Sequence, residues 1–133
     1  MSPETDRTKP LHVILLSFGF KYGVPADINI LWDVRFLPNP YWIETLRPRT
    51  GLEKVVADYV VKSEEGREFL RLIEPLVLFL VEKNTLTKRQ ELNLAVGCTG
   101  GRHRSVAVVE AMREILQRQP VVLTVLHRDI GKD

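Results

Sequence analysis

The stretch from Leu92 to Arg118 constrains this chain more than any other. An apolar run, Leu92-Asn93-Leu94-Ala95-Val96, enters Gly97-Cys98-Thr99-Gly100-Gly101-Arg102-His103-Arg104-Ser105, and a helical pattern then runs to Arg118. Strand, Gly-rich turn and helix in that order put the turn at the carboxyl end of a strand. Backbone N–H groups at such a turn point outward, and the start of the helix carries partial positive charge. The place therefore suits a phosphate or a carboxylate. Arg102, His103 and Arg104 add basic side chains, and Thr99 and Ser105 add hydroxyls.

The spacing is Cys-x-x-Gly-x-x-Arg-Ser, from Cys98 to Ser105. It is not a Walker A loop, because no Gly-Lys-Ser/Thr follows at the required distance, and Gly-x-Gly-x-x-Gly is absent. Three readings compete. In the first, the loop binds a phosphosugar or nucleotide without chemistry, with Arg102 and Arg104 as bidentate partners and the backbone of Thr99 to His103 as a cradle. In the second, Cys98 is the nucleophile of a cysteine-dependent phosphatase and Arg104 holds the phosphate, since a helix start and nearby arginines favour a thiolate. That chemistry also needs a carboxylic acid for the leaving group. Asp27, Asp33 and Asp129 are the candidates, none in a recognisable acid loop, and Gly97 stands where that pattern has histidine. In the third, Cys98 is a small apolar filler in a turn that needs small residues.

A chain of 133 residues fits one domain able to bury a core without staples. One cysteine excludes an internal disulfide and a multi-cysteine zinc site. The histidines, at 12, 103 and 127, have no ligand spacing, so neither metal nor cofactor is expected. The net charge of +2 permits contact with nucleic acid without demanding it. No apolar run is long enough for a signal peptide or a membrane span, which makes the cytoplasm the expected address.

Residues 1–10 are polar with two prolines and read as a flexible leader to a domain spanning 11–133. Strands are expected over 11–17, 28–36, 92–97 and 121–126, and helices over 52–61, 64–83 and 105–118. Leu52, Val55, Val56, Tyr59 and Val60 share one side of the first helix, and Pro75 should kink or split the second. Residues 38–51 form a Pro-rich excursion, of a length that is usually functional or disordered. The alternation points to an α/β fold: a mostly parallel sheet flanked by helices, with ligand loops at the carboxyl ends of strands. The loops at 17–23, 35–41, 97–105 and 127–129 should therefore meet. Lys21 is a candidate for the same anion. Asp33 and Arg35 share a strand face, as an ion pair or as ligand contacts. Arg47 and Arg49 read as solvated loop charges. His127 and Arg128 could complete the pocket or, with Arg102, an RNA-contacting edge.

Several blocks together carry a resemblance. They are Ser17-Phe18-Gly19-Phe20-Lys21-Tyr22-Gly23, Asp33-Val34-Arg35-Phe36-Leu37-Pro38-Asn39-Pro40, Gly97 through Ser105, the stretch Leu46-Arg47-Pro48-x-Thr50-Gly51-Leu52 and the closing His127-Arg128. In this order they resemble the C-terminal domain of the RapZ (YvcJ-like) RNase adapter family. In that family a P-loop ATPase-like domain precedes the unit. No Walker A sequence occurs here, so a stand-alone domain is expected. The resemblance implies a non-enzymatic, regulatory role: sensing glucosamine-6-phosphate, binding small RNA or a protein partner, and self-associating. Carried over by motif, the sugar-phosphate pocket involves Lys21, Asp33, Arg35, Cys98, Thr99, Gly100, Gly101, His103 and Arg104.

Overall fold

Leu11-His12-Val13-Ile14-Leu15 sets one row of aliphatic side chains against a second row on the opposite side, as a strand between two neighbours requires. In the structure, a computed structural model that describes residues 9–132, this run opens β1 (Leu11–Gly19). It is followed by β2 (Ile30–Asp33), α1 (Lys54–Val61), α2 (Glu64–Leu86), β3 (Glu91–Cys98), α3 (Arg104–Leu116) and β4 (Val121–His127). Residues 1–8 of the expected leader, and Asp133, lie outside the described residues. The four strands form one sheet in the order β2-β3-β1-β4, and every pairing is parallel.

Leu11, Val13 and Leu15 of β1, with Leu92, Leu94 and Val96 of β3, face one side of the sheet. There they pack with Val60 of α1, Ile73, Val77 and Val81 of α2, and Val108, Val109, Met112 and Leu116 of α3. All three helices draw on this core. The register sets Gly19 beside Cys98 and Ser17 beside His127, so β1, β3 and β4 end together at one rim of the sheet.

Several boundaries differ from expectation. β2 begins two residues later, because Asn29 is engaged with Asn93: its side chain accepts from Asn93 N at 2.7 Å and its N–H donates to Asn93 O at 2.9 Å. It ends at Asp33, although Val34 N still reaches Gly97 O at 2.9 Å. α1 begins at Lys54, two residues later than expected, so exposed Leu52 lies before it. The helix buries Val56 and Val60 but leaves Val55 exposed, and its inner face is narrower than the spacing suggests. α2 runs unbroken through Pro75 for 23 residues. Ser63 caps it by accepting from Gly66 N, Glu64 and Glu65 sit in its first turn, and its buried residues anchor both sides of the proline.

The 38–51 excursion is ordered against the start of α3. Gly51 N donates to Arg102 O at 2.9 Å. A Cβ on Gly51 would lie 2.4 Å from His103 O and 2.7 Å from Ala107 N. Both neighbours are backbone atoms that cannot swing aside. Gly51→Ala should therefore cost about 1–3 kcal/mol of stability, the range for forced overpacking, measured as a lower urea midpoint with an unchanged slope.

Candidate functional site

The rim where β1 and β3 end is built on close backbone approach. A Cβ on Gly19 would meet Gly100 C at 2.4 Å, and one on Gly101 would meet Gly19 N at 2.5 Å. Gly101 also has φ of +77°, in the left-handed region that side chains disfavour. The loop after β3 thus crosses directly over the end of β1, and Lys21 N donates to Thr99 O at 3.2 Å. Among the described residues, the backbone N–H groups from Thr99 to His103 donate to no protein acceptor. They stand at the N-terminus of α3, which lacks a side-chain cap.

Cys98 is buried below this loop. Its thiol donates to Ser105 Oγ at 3.2 Å, and its sulfur accepts from Ser105 N at 3.3 Å. Arg104 is only 5% exposed. Its Nη1 donates to Arg35 O at 2.7 Å and to Leu37 O at 3.3 Å, and its Nη2 donates to Thr99 Oγ1 at 3.4 Å. Arg104 Nε is buried with no hydrogen-bond partner. His103 Nε2 lies 3.0 Å from Arg47 O. Burial pushes its pKa down, and Arg102 and Arg104 add to this, against the backbone contacts at Arg47 and Arg49 that raise it. The ring is therefore neutral at pH 7 and donates through Nε2.

A cleft of about 580 Å³ opens over the loop. One wall is Cys98, Thr99, Gly100, Arg102, His103 and Arg104, with Lys21 beside them. The other wall comes from the excursion: Asn39, Tyr41, Trp42, Arg47 and Pro48. Trp42 is 72% exposed and meets Tyr41 edge to face, and Arg47 lies over the Tyr41 ring at 4.9 Å. No Asp or Glu is among the described residues that line the cleft.

Of the residues singled out in the sequence, Asp33, Arg35, Gly101 and Ser105 lie outside the lining. Asp33 and Arg35 form an exposed ion pair at 2.7 Å. The hydrogen bond from Arg35 holds the Asp33 carboxyl below its ordinary range, against a smaller effect of burial, and Arg35 stacks over Phe20 at 4.0 Å. Arg102 lines the cleft, and its guanidinium also donates to Pro48 O and Lys132 O. His127 points elsewhere: Nδ1 lies 2.7 Å from Ser17 Oγ and Nε2 lies 2.7 Å from Glu110 Oε2. Arg128 donates to Gly23 O and to Asp129. Sequence reasoning did not assign Tyr41, Trp42 and Arg47 to the site. Two adjacent aromatics in an otherwise polar, Pro-rich loop were the available signal.

Residues 11–131 match the model of the RapZ C-terminal domain. The chain belongs to that family. It is 42% identical over 125 residues to a nucleotide-binding protein of Caldanaerobacter subterraneus, covering 94% of this chain and 44% of that protein. It is 44% identical over 127 residues to a nucleotide-binding protein of Mycobacterium avium, covering 92% of this chain and 43% of that one. The RapZ C-terminal unit thus spans less than half the length of the curated relatives it matches.

Asp129 ties the rim together. The buried carboxylate accepts from Gly19 N at 2.7 Å and pairs with Arg128 and Lys132, each at 2.8 Å. Burial pushes its pKa up, but Arg128, the Gly19 N–H and Lys132 outweigh burial and hold the carboxyl well below its ordinary range. A depressed folded-state pKa adds stability above the unfolded value, and that stability is lost as pH falls toward the folded value. Asp129→Asn should therefore lower stability at pH 7 and flatten the stability loss below about pH 4, read from urea titrations across pH.

Proposed function

We propose that this domain is a non-enzymatic binding module that senses a phosphorylated small molecule in the cleft over residues 98–104. One observation carries this reading: the run of unpaired backbone N–H groups from Thr99 to His103 at the start of α3, joined by the orphaned Nε of buried Arg104. Preorganised donors of this kind favour an anion without reorganisation. Thr99, Gly100, Arg102, His103 and Arg104 form the phosphate end, and Lys21 and Arg47 add charge beside it. Asp33 and Arg35 support the site through the Arg35 carbonyl that holds Arg104. The family implies an amino sugar phosphate such as glucosamine-6-phosphate as the ligand. The names of the longer relatives, nucleotide-binding proteins, are in keeping with a phosphorylated ligand. Occupancy would be relayed to small RNA or to a protein partner of a homo-oligomer in the cytoplasm.

The contact between the Cys98 thiol and Ser105 favours a second reading, a cysteine-dependent phosphatase. The carboxylates weigh against it. Asp129 is buried and ion-paired, Asp33 is paired with Arg35, and neither lines the cleft, so a general acid for the leaving group is missing there.

Thermal-shift titrations should separate these readings. A sugar phosphate at a hundredfold above its Kd adds about 2.7 kcal/mol of stability, while its unphosphorylated counterpart adds none. Arg104→Ala should weaken binding roughly tenfold to a hundredfold, the equivalent of one charge-assisted contact. Equal shifts from phosphorylated and plain sugars would remove the phosphate claim. Release of inorganic phosphate that disappears in Cys98→Ser would promote the phosphatase. Any RNA affinity should fall steeply with salt in gel-shift series, because phosphate contacts release counterions.

A further inference from the structure

The cleft carries more positive charge than one phosphate can match. Lys21, Arg47, Arg102 and Arg104 line it, and among the described residues no Asp or Glu does. The start of α3 adds partial positive charge. A phosphate monoester brings a charge of about −1.5 to −2 at pH 7, which leaves roughly two of those cations unmatched. The space of about 580 Å³ is also large enough to enclose a whole small ligand rather than a single anion.

The unmatched charge has a definite place. The excursion wall stands across from the phosphate loop, and two hydrogen bonds tie the walls together. His103 Nε2 donates to Arg47 O at 3.0 Å, and Arg102 Nη2 donates to Pro48 O at 3.2 Å. On the excursion wall, Arg47 Nε donates to Tyr41 O at 2.6 Å, and the guanidinium lies over the Tyr41 ring at 4.9 Å. Tyr41 thus orients the planar group, while among the described residues no acceptor meets its Nη1 or Nη2. Asn39 is oriented in the same way. Its Oδ1 caps the turn Pro40–Trp42 by accepting from Tyr41 N at 3.1 Å, which leaves Nδ2 as a donor on the lining. A guanidinium fork beside an amide donor, on a lining without carboxylates, matches an anionic group.

We infer that the ligand of this cleft bears two anionic groups: a phosphate on the loop, and a second phosphate or a carboxylate held by Arg47 and Asn39 on the opposite wall. Its class is a sugar bisphosphate or a phosphosugar acid. The inference rests on the phosphate reading of the loop and names the other end of the same ligand.

The test is calorimetric titration of the full chain at fixed ionic strength with two pairs of ligands. Fructose-1,6-bisphosphate is set against fructose-6-phosphate, and 6-phosphogluconate against glucose-6-phosphate. In at least one pair the bis-anionic member should bind on the order of tenfold tighter, the effect of one charge-assisted contact. Which pair shows it tells phosphate from carboxylate. Arg47→Ala and Asn39→Asp should each bring that ratio toward one, and the second of these keeps an oxygen to cap the turn. Arg49→Ala removes a cation outside the lining and should leave the ratio as it is. Arg104→Ala should weaken both members of a pair alike. Equal affinities within both pairs overturn the inference and leave the phosphate reading standing. No binding of any of the four compounds removes both. A preference that survives Arg47→Ala and Asn39→Asp is general charge attraction and overturns the inference too.

Discussion

The structure depends on how closely the loop after β3 approaches the end of β1. Gly19 and Gly101 leave no room for a Cβ between the two backbones. That approach puts the start of α3 over the carboxyl end of the sheet, where Thr99, Gly100, Arg102 and His103, with unpaired N–H groups, line the cleft. A bulkier residue at Gly19 or Gly101 would lift the loop away. Asp129 reinforces the arrangement from beneath by accepting from Gly19 N. The backbone donors are therefore held by the packing of the sheet and need no ligand to arrange them.

Charge follows the same division. The carboxylates of the rim are spent on cations outside the cleft: Asp33 on Arg35, Asp129 on Arg128 and Lys132. What remains on the lining is basic or neutral. Arg104 is braced by two carbonyls from the segment after β2, which fixes its guanidinium at the cost of burying it. Burial lowers its pKa, yet an arginine keeps its proton, so a positive charge stands ready beneath the loop. A phosphate would meet fixed donors and a fixed charge.

The strand-turn-helix unit at 92–118 was legible because its signals are local. Aliphatic alternation, a run of small residues and helical spacing all fall within one window. The second wall of the cleft was not. Tyr41, Trp42 and Arg47 sit more than fifty residues before Cys98, and contacts of Arg47, Pro48 and Gly51 with Arg102 and His103 bring them back. Pro75 shows the limit of a local rule from the other side. It removes a helical hydrogen bond, yet Ile73 and Val77 pack into the core on either side and carry α2 through. The same global packing left Leu52 and Val55 outside, although the spacing alone places them inside.

The sequence by itself determined the α/β class, the strands and helices, and the Gly-rich, basic character of the loop from Cys98 to Ser105. These follow from hydrophobic period and from residue chemistry within a few turns of chain. Strand order, the all-parallel pairing and the partners of each charged side chain were decided only in three dimensions. Arg102, His127 and Arg128 look alike in sequence, as basic residues beside strand ends. Only the first lines the cleft, because the others find acceptors at Ser17, Glu110, Gly23 and Asp129 that the fold brings within reach.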